Sequence, residues 1–323
     1  MKKALVTGGC GFIGSNLAKE LVKEGWQVDI VDDMSNGHVE LVSELNCRFL
    51  PGAGFISAYN LQSLGKNRAK SDVVVVQDDF ACKFILDYIA TGAYDVVFHQ
   101  AAVPRVSYSV KHPGETTDTN IGKTVHLFKA CAGKVDRIVF ASSSSVYGGA
   151  DDLPTTESSP KKPKSPYAWQ KSVIEDFAAM CWDLYQLDVV CLRYFNAFGP
   201  GQYGDSPYST AVSAWCHATK NGLECRSDGD GNQTRDMCYI DNIVSANILA
   251  ANYTDEFKGD YFNIACGDRT SNKEILEYFT ENFKSKVRHT QADIDKATKT
   301  FGYTPLVEFW DGLEKTVKWW GLK

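Results

Sequence analysis

Residues 7–14 read Thr7-Gly8-Gly9-Cys10-Gly11-Phe12-Ile13-Gly14. They follow a short apolar run from Lys3, of strand length, and open an amphipathic stretch expected to be a helix over Phe12–Lys23. Glycine at Gly8, Gly11 and Gly14 has a steric reason: the turn must be tight, and its backbone must lie close against a pyrophosphate. The helix that follows would offer unpaired N–H groups and a partial positive charge to the phosphates. A lone glycine triplet says little. Strand, triplet and helix in this order, with a second apolar run ending in Asp32 about twenty residues on, define a dinucleotide turn. A carboxylate there accepts hydrogen bonds from a ribose diol and repels a 2′-phosphate, so NAD is favoured over NADP. Asp33 is adjacent and either could serve; Asp32 is the preferred ligand.

Outward from this turn, short apolar runs alternate with longer amphipathic ones. Strands are expected at Lys3–Thr7, Gln27–Val31, Val73–Gln77, Val96–His99, Arg137–Ala141 and Val189–Arg193. Helices are expected near Phe12–Lys23, Lys83–Ala90, Asn120–Ala132 and Ala168–Tyr185. The alternation implies an α/β fold, a doubly wound parallel sheet with helices on both faces. Unbroken runs such as Val73-Val74-Val75-Val76 suit strands buried on both sides. Residues 42–72 break the rhythm and read as an irregular excursion with some helix. Beyond Asn196 glycine-rich punctuation takes over and strands become sparse, as in a second, smaller lobe. The expected division is a nucleotide-binding domain of residues 1–195 plus about 236–265, and a smaller lobe of about 196–235 plus 266–323.

Composition narrows the possibilities. With 323 residues, 44% hydrophobic and 23% charged, the chain can bury a substantial core. A net charge of −6 gives no electrostatic footprint for nucleic acid. No run of 18 apolar residues occurs, so no membrane span is expected. The beginning, Lys2-Lys3 and then Ala4–Thr7, reads as a strand rather than a signal peptide. Ten cysteines without a CxxC pair read as reduced thiols in a cytoplasmic setting, and no metal site is expected.

Two further segments carry chemistry. Tyr167-x-x-x-Lys171 lies on the helix entered through Pro166, and its spacing puts both side chains on one face. A phenol of pKa ~10 is a poor base at neutral pH unless a nearby cation favours the phenolate. Upstream, Ser142-Ser143-Ser144-Ser145-Val146-Tyr147-Gly148 ends a strand, where a doubly wound sheet exposes its ligand crevice. A hydroxyl there can donate to a reacting oxygen. Asp79, just past the third expected strand, is either a reader of the adenine edge or a helix N-cap.

Together with His99-Gln100-Ala101-Ala102 and Arg193-Tyr194-Phe195-Asn196, these motifs resemble the NAD-dependent epimerase/dehydratase family of extended short-chain dehydrogenases, over nearly the whole chain. The resemblance implies a Rossmann-type domain with a smaller C-terminal substrate-binding lobe, tightly held NAD, a UDP-sugar substrate and a homodimer. It makes Tyr167 the base, Lys171 the positioner of the nicotinamide ribose and Ser143 the hydroxyl partner. Gly8, Gly11, Phe12, Ile13, Gly14, Asp32, Asp79, Phe80, Ala101 and Ala102 would line the cofactor; Ser144, Ser145, Asn196 and Arg235 would face sugar or diphosphate.

Within the family the segments Arg235-Asp236-Met237-Cys238-Tyr239-Ile240-Asp241-Asn242 and Asn263–Thr270 are most similar to UDP-N-acetylglucosamine 4-epimerases. Family dehydratases and decarboxylases carry an acid in the serine turn; Ser144, Ser145 and Val146 fill it here, which implies simple epimerisation. A small Thr290, where epimerases restricted to non-acetylated sugars often have a tyrosine, leaves room for an N-acetyl group. Arg105 is larger and more charged than expected beside such a pocket and keeps UDP-glucuronate open as a substrate. The connection from Phe283 to Arg288 is shorter than the family's, and its phosphate-binding arginine has no clear counterpart.

Overall fold

The computed structural model describes residues 1–52, 72–104, 106–149, 153–204, 210–225, 231–280 and 292–322. The strands are β1 (Lys3–Thr7), β2 (Gln27–Asp32), β3 (Asn46–Pro51), β4 (Asp72–Gln77), β5 (Val96–His99), β6 (Arg137–Ser143), β7 (Val189–Tyr194), β8 (Thr234–Arg235), β9 (Tyr261–Ile264) and β10 (Thr270–Ser271). Eight of them form one parallel sheet in the order β3-β4-β2-β1-β5-β6-β7-β9. Helices α1 (Phe12–Lys23), α2 (Lys83–Ile89), α3 (Val106–Lys111), α4 (Pro113–Thr117), α5 (Thr124–Cys131) and α6 (Pro166–Tyr185) accompany them. The order reverses direction on either side of β1, the Rossmann-type doubly wound arrangement that alternation of strands and helices predicts.

By contact density the chain divides into two compact units. The first comprises residues 1–142, 163–192 and 250–261. Its core joins sheet residues Leu5, Val31, Val74, Val97, Ile138 and Val189 to helical Phe84, Ile85, Leu127, Phe128, Ile174 and Ala178. Strands buried on both faces have no polar side to alternate with, which is why they read as continuous apolar runs. One charged group breaks that rule. Arg137 at the start of β6 is buried; its Nε donates to Asp188 Oδ2 at 2.6 Å and its terminal nitrogens to the carbonyls of Ala250, Tyr253 and Asp255 at 2.7–2.8 Å. Paired and hydrogen-bonded, it fastens the 250–255 segment to the strand ends.

The second unit comprises residues 143–162, 193–249 and 262–323. It holds α7 (Ala211–Lys220), α8 (Ile240–Asn252, up to Leu249), α9 (Asn272–Thr280), α10 (Asp295–Phe301), α11 (Phe309–Trp319) and the antiparallel pair β8–β10.

Two local expectations are corrected. The 42–72 excursion contains a strand, β3, paired in parallel with β4 from Asn46↔Asp72 to Pro51↔Gln77. It is an edge strand with Arg48 and Phe49 exposed, so neither an alternating nor a continuous apolar pattern marks it; the remainder, 53–71, lies outside the described residues. The expected helix Asn120–Ala132 is two pieces: a wider π-type turn over Asp118–Lys123 precedes α5. Such turns insert a residue into the helical ladder and recur at functional sites.

Candidate active site

The glycine turn is built as its spacing demands. Gly8 has φ +67°, and a Cβ there would stand 2.9 Å from the Ala101 backbone. A Cβ at Gly14 would stand 2.2 Å from the Gly8 carbonyl oxygen, closer than any real contact. The turn is closed by Gly11 N–H donating to Gly8 O at 3.1 Å and Ser15 N–H to Gly11 O at 2.9 Å. Helix α1 begins at Phe12-Ile13-Gly14 with no side-chain cap and no acid in its first turn. Its leading N–H groups are thus left to an anion, as a pyrophosphate requires.

Asp32, at the end of β2, is buried; Oδ2 accepts from Cys10 N–H and Oδ1 from Met34 N–H, each at 2.9 Å. Burial raises its pKa, and the two N–H donors oppose the rise. Asp33 is exposed and spends Oδ1 on Ser35 N–H at 2.9 Å. Of the two carboxylates, the buried one tied to the glycine turn is the more firmly held. Asp79 supports the turn before α2: Oδ1 accepts from Ala81 N–H at 2.8 Å, and Oδ2 pairs with Lys123. Phe80 is buried, its ring 4.9 Å from that of His99.

The sequence motifs include His99 and Thr7 but assign neither a role. The two face each other in register at the ends of β5 and β1. The imidazole is fully buried; Nδ1 lies 2.7 Å from Thr7 Oγ1 and Nε2 2.9 Å from Thr124 Oγ1. Thr7 Oγ1 also accepts Ala101 N–H at 3.1 Å. Each ring nitrogen thus has a threonine hydroxyl as its partner, a group that can donate or accept. Burial first, and the nearby Lys171 second, hold the His99 pKa well below its usual value. The ring is a neutral brace that fixes Ala101, and with it Ala102, beside Gly8. A polar pair ending two otherwise apolar, doubly buried strands is the signal that points to it.

Helix α6 starts with Ser165 capping Ala168 N–H at 3.1 Å and Pro166 at its first turn. Tyr167 N–H donates to Ser109 Oγ at 3.1 Å. Lys171, one turn on, is buried, and its Nζ donates to Ala141 O at 2.7 Å. That amine lies 5.9 Å from the Tyr167 ring centroid and 4.6 Å from that of Phe140. Burial lowers the Lys171 pKa from 10.5 to about 7. Of the serine run, Ser142 is spent on structure, donating to buried Glu175 at 2.6 Å.

In the second unit Ser143 caps the single turn Ser144–Tyr147: its Oγ accepts from Ser145 N–H at 3.2 Å and from Ser145 Oγ at 2.9 Å. Both bonds are received, so neither uses the Ser143 hydroxyl proton. The turn is anchored beneath by buried Tyr147, whose hydroxyl donates to Asn263 Oδ1 and accepts from Arg193, each at 2.7 Å. Asn196 has φ +25° and donates Nδ2 to Asp236 O at 2.8 Å. Asp236, which sequence reasoning did not pick out, is buried; its oxygens accept from the N–H groups of Cys266, Gly267 and Ala292 at 2.9–3.1 Å. Burial raises its pKa to about 7 against those three donors. Arg235 is exposed, with one nitrogen on Thr234 O at 2.8 Å. Arg105, Thr290 and Arg288 lie outside the described residues. Among the described residues no group of three or more His, Cys, Asp or Glu is placed to hold a metal ion, and no helix is long and apolar enough to cross a membrane.

A doubly wound sheet, an uncapped helix behind a glycine cradle and a buried aspartate at the end of β2 define a Rossmann-type NAD-binding enzyme. The sequence profile of the NAD dependent epimerase/dehydratase family matches residues 4–265, and the chain belongs to that family. It is 31% identical over 333 residues to a UDP-glucose 4-epimerase of Mycolicibacterium smegmatis, covering 98% of this chain and 97% of the relative. Among solved structures it is similar to a UDP-N-acetylglucosamine 4-epimerase from Methanobrevibacter ruminantium in complex with UDP-N-acetylmuramic acid: TM-score 0.82, 31% identity, 98% and 97% of the two chains covered. A UDP-glucuronic acid 4-epimerase from Bacillus cereus, in complex with UDP-glucuronic acid and NAD, matches with TM-score 0.78 and 29% identity over 99% of each chain. The cofactor is NAD, and the protein is an enzyme of the sugar-nucleotide epimerase and dehydratase group.

Proposed function

We propose that the protein is a UDP-hexose 4-epimerase, interconverting UDP-N-acetylglucosamine and UDP-N-acetylgalactosamine, and UDP-glucose and UDP-galactose as smaller substrates. The observation that carries this reading is the pair on α6: a tyrosine at its first turn and a buried lysine one turn on, fixed to the β6 strand end by a 2.7 Å bond. Gly8, Gly11 and Gly14 would admit the pyrophosphate, Asp32 would hold the adenosine ribose, Asp79 and Phe80 would flank the adenine, and Ala101 and Ala102 would support the dinucleotide. When bound, NAD would supply reversible hydride transfer at C4 of the hexose. The chain's own part is proton handling and orientation. Tyr167 takes the proton of the 4-hydroxyl and later restores it. In its protonated form Lys171 favours the phenolate, and it positions the ribose. Ser143 donates its unused hydroxyl proton to the reacting oxygen. Ser144, Ser145, Asn196 and Arg235 grip sugar and diphosphate.

Simple epimerisation is favoured over dehydration because the Ser144–Tyr147 turn carries no carboxylate to remove a second proton. The substrate-lobe assignment of residues about 196–235 and 266–323 belongs to the same proposal, as does a cytoplasmic homodimer. The outer face of α6 supports the dimer: Trp169, Met180 and Leu184 are exposed, as are Val106 and Val110 on α3. UDP-glucuronate remains the competing substrate. The test is incubation of purified protein, without added cofactor, with UDP-N-acetylglucosamine, UDP-glucose and UDP-glucuronate, followed by resolution of the C4 epimers. Turnover is expected for the first two. Turnover of UDP-glucuronate alone would replace the proposed substrate, and no epimer from any would overturn the reading.

A further inference from the structure

One residue between Tyr167 and Lys171 is wholly buried and fully bonded, yet the proposed chemistry does not use it. Gln170 donates Nε2 to Thr116 Oγ1 at 2.9 Å and to Thr117 Oγ1 at 3.0 Å, and its Oε1 accepts from Asn120 Nδ2 at 2.8 Å. Both amide hydrogens and the carbonyl are therefore satisfied. Asn120, also buried, sits in the π-type turn Asp118–Lys123. It clamps Val103 from both sides, accepting from its N–H at 2.8 Å and donating to its carbonyl at 3.1 Å. A continuous chain of hydrogen bonds thus runs from α6 through the wide turn to the loop after β5. The same loop carries Ala101, held by Thr7 and packed on Gly8.

On a helix of 3.6 residues per turn, Gln170 is rotated by about 60° from Tyr167 and about 100° from Lys171. Its amide is engaged by Thr116, Thr117 and Asn120. Its bonds are lateral, and lateral directional bonds resist a roll of the helix about its own axis. The Ser165 cap and the Ser109 bond to Tyr167 N–H act on the backbone at the helix start and resist sliding instead. Roll is what matters to a long side chain: about 10° at a radius of ~9 Å moves a phenol oxygen by roughly 1.5 Å, and a misplacement of about 1 Å can cost ~10² in rate.

We infer that Gln170 is a positioning residue whose three hydrogen bonds set the roll of α6, and so place the Tyr167 hydroxyl against the loop that supports the dinucleotide. The inference rests on Tyr167 being the proton carrier. It gives the π-type turn a reason: the extra residue brings Asn120 within reach of both Gln170 and the Val103 backbone.

The test compares Gln170→Met, near the same volume without hydrogen bonds, and Thr117→Val, which removes one bond and keeps Gln170, with wild type and Tyr167→Phe. Co-purified NAD, kcat, KM for UDP-N-acetylglucosamine and the pH–rate profile are read for each. Gln170→Met is expected to keep its NAD and a KM within about threefold, to lose about 10–100-fold in kcat, and to move the pH limb of the proton carrier. Thr117→Val should lose kcat in the same direction by a smaller factor. Normal kcat in Gln170→Met, with or without lowered thermal stability, overturns the inference. Should Gln170→Met fail to fold, Thr117→Val decides, and its unchanged kcat and pH profile would overturn it. An inactive Tyr167→Phe beside a normal Gln170→Met refutes the positioning role alone; an active Tyr167→Phe refutes the reading of the base.

Discussion

Replacing Lys171 by methionine should make the protein more stable near neutral pH while it removes activity. The amine is buried, and burial lowers its pKa from 10.5 to about 7. The folded pKa lies below the unfolded one, so between these values the unfolded chain binds more protons and stability climbs with pH. Integrating that difference gives a penalty of roughly 4 kcal/mol at pH 7, falling to about 2 kcal/mol at pH 9. Methionine removes the penalty but leaves Ala141 O without its 2.7 Å donor, a loss of about 1 kcal/mol. The variant should therefore be about 3 kcal/mol more stable than wild type at pH 7, with the advantage shrinking by about 2 kcal/mol at pH 9. Urea titrations of both proteins at pH 7, 8 and 9, with equal NAD concentrations, read the two slopes; other titrating groups cancel in the difference. Parallel pH dependences would show that Lys171 keeps an ordinary pKa and would refute the lowering of its pKa by burial.

Gly14→Ala should yield protein without co-purified NAD, because the new Cβ would sit 2.2 Å from Gly8 O; dinucleotide released on denaturation measures it. Arg137→Met leaves buried Asp188 without its ion-pair partner and should cost about 3–5 kcal/mol, seen as a lowered urea midpoint at unchanged kcat. Ser143→Ala should keep NAD and lower kcat by roughly 10–10³-fold, the scale of one preorganised donor, with little change in KM.

The fold was legible because doubly buried strands leave no choice of side chain. Val73–Val76 and Val96–Phe98 are apolar throughout, and their ends fall within a residue or two of those expected. β3 was not legible: on an edge, its stability comes from the ladder to β4 rather than from its side chains. Nor was the break at Asp118–Lys123, because a π-type turn keeps a helical composition and changes only the hydrogen-bond count.

In the site, residues whose place is dictated by sterics, such as Gly8 and Gly14, announce themselves by type. Residues that act through other residues do not. Gln170, Asn120 and Asp236 are polar groups in ordinary-looking positions, and only their burial and the geometry of their partners give them a role. Asp32 and Asp33 are alike in sequence and differ in the structure by burial, the first buried and the second exposed.

The central claim is that a phenol on α6 carries the proton while a resident nicotinamide carries the hydride. Steady-state turnover of Tyr167→Phe beside wild type, with NAD content counted in the same preparations, tests that claim most directly. The account predicts full NAD occupancy, near-normal KM and a kcat lowered by about 10²–10⁴. A fully loaded Tyr167→Phe protein that epimerises UDP-N-acetylglucosamine at close to the wild-type rate would contradict it.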